Sequence, residues 1–591
     1  MAAAYPTDEQ TVISRGLYRL VSDIIGPECI VHLRRQKNDI RDLFMGCDTS
    51  KSSKTVTSGS RAEGFLFKSS DADIIDIDSN IVVVKSNTWH LSNTRDFPNI
   101  LLMETDIVPP GFALLKCLKY DDRDKQLYKS LVRRGNDLYV SSRIARESCA
   151  IDGVSYTHGP CNSGGMIGDE YDIAYTLKCP FWPNQAKSFI LRSLRHGWPS
   201  FDVMKDICEE GCHFVPINSR VHAYSESADL EWRISTVRAE KKLVYSMNHC
   251  QFLCYGLMKI ILNEVLKKDP ETGELLCSYF MKTAVFWEMS EHKEDWSPLN
   301  FICKFWNVFR RIIKWVSTGY CPNFFIPQHN MFLGKVYGRH QRDLMTRLRK
   351  LHDEGYQFLL RCPSLNKKLT TIINQPMKAR RIITNEKDYV KRTEIEAMRM
   401  KLIIASSMID WPTETGQMIK VLSNTVVLTA SSNDMTSSLR LNTHNILQRI
   451  AVMLFLTNDT QHRSLSNKQR SWYINIAKSI LRKTKSFFCL EKLFHAVCMY
   501  RSGNYHKTID IIHLIKERLQ SQQYKYTWNL DGNTVYECKE KGMTYLEILK
   551  KLVVSSYTFE SELSVEELKL ESSASEETIG CEVLFIPPLV F

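Results

Sequence analysis

Apolar side chains recur at helical spacing over residues 8–46, with Leu17 and Leu20 among them. A period close to 3.6 residues is typical of an amphipathic helix that buries one face. Gly26 and Pro27 interrupt this pattern, since glycine and proline end or kink a helix. The chain is therefore predicted to begin with a long helical spine that breaks once.

Alternation with a period of two begins at residue 71, where the sequence reads Asp-Ala-Asp-Ile-Ile-Asp-Ile-Asp and continues into the apolar run 81–84. Such alternation predicts a β-strand, on which residues i and i+2 share a face. Asp71 and Asp73 would then present two carboxylates side by side. Hard oxygen ligands of this kind suit Mg²⁺ or Mn²⁺. Residues 170–178, which include Asp172, alternate in the same way and predict a second strand.

The pattern changes to helical periodicity after about residue 235, and a polar, basic stretch follows near residue 366. Amphipathic helices are predicted within 239–268, 278–287 and 301–316, and the segment 336–360 is strongly basic. The predicted divisions are a spine helix with a sheet-containing lobe (1–235), a helical lobe (236–365), a linker (366–390), a helical extension (391–554) and an acidic tail (555–591).

The composition is that of a large globular protein, with 591 residues of which 43% are hydrophobic and 24% are charged. The net charge of +12 favours polyanionic partners only weakly. No N-terminal signal peptide and no membrane-spanning apolar run is evident, so no membrane association is expected. The 18 cysteines form no repeating framework, which argues against a disulfide-stapled secreted protein and favours reduced thiols in the cytoplasm.

The cysteines and histidines do not have the spacing that is typical of a zinc site. His249, Cys250 and Cys254 lie close together, with Cys208 and Cys212 more distant, and no paired Cys-x-x-Cys modules occur. Paired modules are the usual signature of a structural zinc site. Buried thiols are therefore the preferred interpretation, and no structural zinc is expected.

A Gly59-Ser60 turn precedes the first pair of aspartates by about ten residues. A small, flexible turn lets backbone amides approach a phosphate closely. Turn and carboxylates together indicate metal-dependent nucleotidyl transfer, provided that a third carboxylate joins them. Asp172 is the best candidate for that third ligand. The alternative is an ordinary turn followed by a solvated acidic strand.

These motifs, with others, resemble those of one known family. The order along the chain is Gly59-Ser60, Asp71-x-Asp73, Asp172, Phe181-Trp182-Pro183, Gly211-Cys-His-Phe-Val-Pro216, Glu231-Trp-Arg-Ile-Ser235, Leu257-Met-Lys259 and Cys277-Ser-Tyr-Phe-Met-Lys-Thr-Ala284. Each motif is weak alone, but eight in this order are specific. Over roughly residues 10–365 the chain resembles the cGAS-like receptors, a nucleotidyltransferase family that includes the male-abnormal-type (Mab-21-like) developmental proteins.

The resemblance implies an α+β fold with a bilobed core. One lobe would be a twisted mixed sheet with flanking helices, the other would be helical, and an all-helical extension would follow. It further implies that Asp71, Asp73 and Asp172 hold two divalent ions, Mg²⁺ or Mn²⁺. Two such ions stabilise both the attacking and the leaving oxygen of a transferred phosphoryl group.

The resemblance also implies a nucleotide pocket. Gly59 and Ser60 would hold the triphosphate and Lys259 the donor phosphates. Ser278 and Tyr279 would be the serine and the base-stacking tyrosine of that pocket, and Arg233 would read a purine. Alternatives stay open: Arg233 on a core strand with no ligand, Tyr279 packed in the interior, and Lys259 as a solvated lysine.

Vertebrate members that sense DNA carry a His/Cys zinc insertion before the lysine-bearing helix, and this chain runs from Lys241 to Lys259 without one. The departure favours double-stranded RNA over DNA as the ligand. A duplex would contact the spine through its phosphates. The alternative is a solvated helix face. The candidate contacts are Arg34, Arg35, Lys37, Arg41, Lys51 and Lys54.

The expected function is a nucleic-acid-sensing enzyme of innate immunity that makes a cyclic dinucleotide from ATP and/or GTP, to be read by a STING-like receptor. The first alternative is a non-catalytic scaffold of the male-abnormal type, and the second is an RNA-tailing nucleotidyltransferase. The extension after residue 366 could bind a protein partner.

Overall fold

The structure is a computed structural model that describes the residues from 8 to 374 with short gaps, together with a few later segments. The described ranges are 8–45, 53–67, 71–85, 97–149, 155–164, 171–219, 228–292, 296–374, 505–521, 558–559 and 579–580, with isolated positions 393, 397 and 499. The chain divides into two compact units: one holds residues 1–46 and 50–387, and the other holds 47–49 and 388–591.

The first unit begins with the predicted broken spine. Helix α1 (Asp8–Ile25) and helix α2 (Glu28–Met45) meet at Gly26, whose φ of 123° no other residue type adopts readily. Pro27 follows, and its carbonyl accepts hydrogen bonds from the first turn of α2. The spine is therefore two helices joined by a two-residue corner.

Within the described part of the chain, eleven strands form one mixed sheet. Their bounds are β1 (Ser53–Thr57), β2 (Ala72–Val84), β3 (Asn99–Glu104), β4 (Phe112–Lys119), β5 (Leu131–Arg134), β6 (Asp137–Val140), β7 (Ser155–His158), β8 (Cys161–Gly164), β9 (Tyr171–Cys179), β10 (Cys212–Val215) and β11 (Glu231–Ser235).

Strand β2 organises the sheet. Its first half pairs antiparallel with β1 and parallel with β9, and its second half pairs parallel with β3. From β3 the order continues through β4, β11 and β10 back to β9, while β5 and β6 attach to β4 and the β7–β8 hairpin extends β9. Both predicted strands are thus present, and they are direct neighbours.

The remaining helices of the first unit flank the sheet or follow it. Their bounds are α3 (Gly59–Ala62), α4 (Lys125–Ser130), α5 (Ser142–Ser148), α6 (Lys187–His196), α7 (Phe201–Glu210), α8 (Val237–Tyr245), α9 (His249–Ile261), α10 (Ser278–Glu291), α11 (Phe301–Thr318), α12 (Gly338–Asp353) and α13 (Pro363–Asn374). The α+β class predicted from the sequence is confirmed.

One hydrophobic core joins the sheet to the helices. Val83 and Leu177 from the sheet belong to the same buried cluster as Phe252 of α9 and Phe305 of α11. Burial of this apolar area is the main favourable contribution to folding. Residues before and after the predicted division at 235/236 therefore share a core.

The predicted linker at 366–390 begins too early. Helix α13 runs to Asn374, and Leu365, Leu369 and Ile372 on it are buried. The γ2 methyl of Ile372 would lie 2.8 Å from a Cβ placed on Gly16 of α1, so α13 packs closely against the spine. Polar, basic residues between the buried positions obscured this helix in the sequence.

The second unit is described in part. Tyr505–Ser521 forms a helix, as expected for the extension, and Thr558–Phe559 pairs antiparallel with Ile579–Gly580 inside the predicted acidic tail. The rest of the predicted extension and tail lies outside the described residues. None of the described helices has the length and apolar composition that a bilayer-spanning segment requires.

Candidate active site

Three aspartates meet where β2 and β9 lie side by side. Asp73 and Asp172 are partners in the parallel register of the two strands, and Asp71 precedes β2 by one residue. One carboxylate oxygen from each lies within 4.8 Å of the others. Partners on adjacent strands are about 5 Å apart, so the register alone places these two side chains together. The predicted trio of Asp71, Asp73 and Asp172 is therefore assembled.

The trio is electrostatically crowded. Burial, together with the neighbouring charges of Asp71 and Asp172, raises the pKa of Asp73 to about 6. Ser163 on β8 donates a hydrogen bond from its Oγ to Oδ1 of Asp172, which orients that carboxylate. Like charges held this close favour a bound cation or a proton. The donor set, all carboxylate oxygens, fits Mg²⁺ or Mn²⁺.

The Gly59-Ser60 turn lies against the trio. Residues Gly59–Ala62 form one helical turn, and the backbone N–H of Ser58 donates to the carbonyl of Asp73 at 2.8 Å. Gly59 has φ +63°. The side chain of Asp73 fills the space where a Cβ of Gly59 would stand, so both the conformation and the contact require glycine here.

Lys259 on α9 reaches the same turn from the helical side. Its Nζ donates to Oγ of Ser60, and its residue is only 4% exposed. Burial lowers the pKa of the Lys259 ammonium, while the carboxylates of Glu63 and Asp73 oppose that effect. Lys259 is therefore an interior lysine bound to the turn, and the solvated-lysine alternative is wrong.

A cavity of about 530 Å³ opens beside the trio. Four residues singled out in the sequence line it: Asp73, Asp172, Arg233 and Tyr279. Arg233 stands on β11, half exposed between Phe112 of β4 and Val215 of β10. A pocket of this size with a few convergent polar groups is typical of a small-molecule site.

Two predicted pocket residues are placed differently. Ser278 is the exposed first residue of α10, and it is not among the residues that line this cavity. Gly59 lines a separate, smaller cavity of about 330 Å³ together with Asp42 and Lys241. The structure thus brings Tyr279 into the large cavity and leaves its neighbour Ser278 on the surface.

Other residues of the large cavity gave no signal in the sequence. Asn323 donates to the hydroxyl of Tyr279 at 2.9 Å and so orients the ring. Burial, together with the charge of Arg233, lowers the pKa of His329 to about 4, so the imidazole is neutral at pH 7. Asn323 and His329 lie in a loop between helices without motif-like spacing, and only the fold brings them to the site.

The candidate nucleic-acid contacts divide into three groups. Lys37, Arg41 and Lys54 are exposed, on α2 and β1. Lys51 lies outside the described residues. Arg34 is half-buried and donates to the backbone carbonyls of Ile25 and Gly64. This side chain holds the corner of the spine, a role that the sequence did not indicate.

The position of Arg35 contradicts its predicted role in nucleic-acid binding. Its residue is 9% exposed, and its Nε donates to the carbonyl of Glu63 at 2.9 Å. The guanidinium carbon lies 4.8 Å from the ring centroid of Tyr245 and 4.6 Å from that of Phe252. A guanidinium enclosed in this way cannot meet a duplex phosphate. The prediction that Arg35 binds nucleic acid is therefore wrong; it supports the turn from behind.

Two comparisons with known proteins bear on this site. Residues 250–350, which span α9 to most of α12, match the family described as Mab-21 protein HhH/H2TH-like domain. Over 167 residues the chain is 26% identical to cyclic GMP-AMP synthase of Mus musculus, a match that covers 26% of this chain and 32% of that protein. The match thus spans about a third of the relative's length. Both findings confirm the resemblance to the cGAS/Mab-21-like nucleotidyltransferases.

Proposed function

We propose that this chain is a metal-dependent nucleotidyltransferase that joins ATP and/or GTP into a cyclic dinucleotide under the control of a double-stranded nucleic acid. The observation that carries the proposal is the convergence of three carboxylates, two of which, Asp73 and Asp172, line a nucleotide-sized cavity. The Gly59-Ser60 turn beside them supplies the second part of such a site. A bilobed core, with the cavity between its lobes, belongs to the same proposal.

The acidic trio performs the metal-binding role in this proposal. Divalent ions held by Asp71, Asp73 and Asp172 would neutralise the triphosphate and activate the attacking ribose hydroxyl. Ser163 keeps Asp172 oriented, and the β2–β9 register holds Asp73 and Asp172 on one rigid surface. Rigid strands position ligands more accurately than loops do.

Arg233 and Tyr279 bind the bases. The guanidinium of Arg233 can stack on a purine or donate to its polar edge. The ring of Tyr279, held through its hydroxyl by Asn323, offers a stacking surface in the same cavity. Stacking on an aromatic side chain contributes roughly 1–3 kcal/mol per base.

The turn has to change before it holds a triphosphate. The hydroxyl oxygen of Ser60 already accepts a hydrogen bond from the buried Lys259. A phosphate must replace that contact if Ser60 and Lys259 are to bind it. A ligand that binds the open arrangement more tightly shifts the population towards it. In this way a duplex on the spine would switch the enzyme on.

Double-stranded RNA is the proposed trigger, held by the exposed Lys37, Arg41 and Lys54. Asp42 of α2 connects this surface to the site, because it accepts hydrogen bonds at 2.8 Å from both the N–H and the hydroxyl of Thr57, two residues before Gly59. A cytoplasmic location, a STING-like receptor for the product and a protein partner for the second unit complete the proposal.

A radiolabelled nucleotide assay tests the proposal. The full chain receives ATP and GTP with Mg²⁺ or Mn²⁺, and double-stranded RNA, double-stranded DNA or neither. The expected result is a phosphatase-resistant dinucleotide that forms only with RNA duplex and is absent from the Asp73→Ala variant. No product from folded, metal-binding protein would instead favour a non-catalytic scaffold, and a lengthened primer would favour an RNA-tailing enzyme.

A further inference from the structure

Glu63 lies directly after the Gly59-Ser60 turn and is almost completely buried, at 3% exposure. Its Oε1 accepts from Nζ of Lys282 at 2.9 Å, and its Oε2 accepts from the hydroxyl of Tyr255 at 3.0 Å. Its backbone carbonyl accepts from Nε of Arg35. Each of these partners comes from a different helix: α10, α9 and α2. One residue thus ties the end of the turn to three helices.

Lys282 extends this connection to the nucleotide pocket. It is 8% exposed, and its Nζ also lies 2.7 Å from Oε2 of Glu240 on α8. The same Nζ stands 5.6 Å from the ring centroid of Tyr279, one turn earlier on α10. An ammonium at this distance attracts the face of an aromatic ring. A short chain of contacts therefore runs from the turn through Glu63 and Lys282 to Tyr279.

Backbone hydrogen bonds within the turn couple the position of Glu63 to that of Ser60. The N–H of Glu63 donates to the carbonyl of Gly59 at 3.1 Å, and the N–H of Phe65 donates to the carbonyl of Ser60 at 3.0 Å. A displacement of Glu63 must therefore move Ser60. Since buried ion pairs often add little to stability, a role in fixing one arrangement is the better reason for such a pair.

We propose that Glu63 is a positioning residue of the nucleotide site: through Lys282 it sets the place of the Gly59-Ser60 turn relative to Tyr279. This inference rests on the proposed function, because the turn and Tyr279 are there assigned to the triphosphate and base of one nucleotide. Glu63 would contact neither the triphosphate nor the base. It acts through the turn and Tyr279, which would contact them.

The test compares three full-length variants by two binding measurements. Glu63→Gln removes one of the two carboxylate charges that hold Lys282 and leaves Glu240, and Tyr255→Phe removes one hydrogen bond to Glu63 as a milder change. Affinity for a non-hydrolysable ATP analogue with Mg²⁺ is expected to fall about tenfold in Glu63→Gln, the loss expected for one charge-assisted hydrogen bond, and less in Tyr255→Phe. Mn²⁺ affinity without nucleotide, followed by electron paramagnetic resonance, should stay unchanged.

Glu288→Gln is the matched control. Glu288 lies further along the same helix α10, is 2% exposed, and pairs with Arg311 at 2.7 Å. The Glu288→Gln variant loses a comparable buried ion pair. If a general loss of packing were the cause, nucleotide affinity would fall equally in Glu288→Gln and Glu63→Gln. Nucleotide affinity in this variant is expected to equal that of the wild type.

Hydrogen exchange in the ligand-free proteins gives a readout that needs no nucleotide. Faster exchange over residues 58–65 in Glu63→Gln, but not in Glu288→Gln, is expected. Unchanged exchange and unchanged nucleotide affinity in Glu63→Gln would overturn the inference, and so would equal losses in both variants. A wild-type chain that binds Mn²⁺ but no nucleotide would instead contradict the proposed function and remove the pocket that Glu63 is said to position.

Discussion

The carboxylate of Asp73 occupies the space above Gly59: a Cβ built on Gly59 would lie 1.8 Å from Oδ2 of Asp73. The Gly59-Ser60 turn and strand β2 are thus in direct contact through the Asp73 side chain. Gly59→Ala must displace the Asp73 carboxylate or the turn. We expect this variant to lose Mn²⁺ binding and product formation, and to lose about 1–2 kcal/mol of stability from the left-handed backbone.

The variant Gly135→Ala separates the cost of the left-handed backbone from the effect of the contact with Asp73. Gly135 has φ +61°, nearly the same as Gly59, and its added Cβ would meet nothing within 4 Å. It should show the backbone cost alone, measured by urea unfolding, and keep Mn²⁺ affinity. Equal behaviour of the two variants in the Mn²⁺ titration would show that the contact with Asp73 is unimportant.

Asp73 should make the metal-free protein less stable as the pH rises. Burial and the neighbouring Asp71 and Asp172 raise its pKa from 3.8 to about 6, so the folded state binds a proton that the unfolded state has released. Stability therefore falls as the pH rises between about 4 and 6, by roughly 3 kcal/mol for a shift of about two units. Asp73→Asn should remove this dependence and raise the melting temperature at pH 7.

Melting curves of metal-free wild type and Asp73→Asn at pH 4, 5, 6 and 7 measure this effect. Added Mn²⁺ should stabilise the wild type and leave the variant unchanged, because binding to the folded state alone raises stability. Parallel curves for the two proteins across this pH range would contradict the assignment.

Arg35 and its exposed neighbours should respond differently to substitution. Arg35→Met removes a buried guanidinium from the carbonyl of Glu63 and from two aromatic rings, so a loss of about 3 kcal/mol in unfolding free energy is expected. The double variant Lys37→Ala/Arg41→Ala should keep its stability and bind duplex RNA more weakly. Each lost phosphate contact lowers the slope of log affinity against log salt by about one.

Chemical denaturation and fluorescence anisotropy at several salt concentrations distinguish the two variants. A salt slope that stays the same in Lys37→Ala/Arg41→Ala would place the duplex elsewhere. A stable Arg35→Met with weakened RNA binding would return Arg35 to the ligand surface.

Arg233 should matter for binding and not for folding. Among the described residues its side chain has no ion pair or hydrogen bond, although it lines the cavity beside Tyr279. Arg233→Ala is expected to weaken nucleotide binding about tenfold and to shift the preference between ATP and GTP, with an unchanged melting temperature. Arg143→Ala, on the exposed helix α5, serves as the control in the same calorimetric titrations.

The strands and their aspartates could be predicted because alternation with a period of two is a local property of the chain. The predicted strand at 170–178 is β9, and Asp172 stands on it as expected. The broken spine could be predicted for a similar reason, since an adjacent glycine and proline such as Gly26 and Pro27 strongly disfavour the interior of a continuous helix. These features depend on neighbours in sequence.

Local sequence patterns could not predict which charged side chains are buried and which are exposed. Arg35 and Lys37 are two residues apart in one basic stretch, yet Arg35 is enclosed and Lys37 is exposed. Nothing in the sequence assigned a role to Glu63, because its partners Tyr255 and Lys282 lie about two hundred residues away. Burial and pairing of charges depend on which distant helices pack together.

Local pattern thus establishes individual helices and strands, the acidic strand and the glycine turn, because backbone geometry and side-chain periodicity act over a few residues, whereas the α+β class was implied by the resemblance. Only folding places Asp73 beside Asp172 and brings Lys259 into hydrogen bonding with Ser60. Only folding, likewise, attaches the turn to the helices through Glu63. Each requires residues distant in sequence to share one small volume, and the hydrophobic core between sheet and helices is what brings them there.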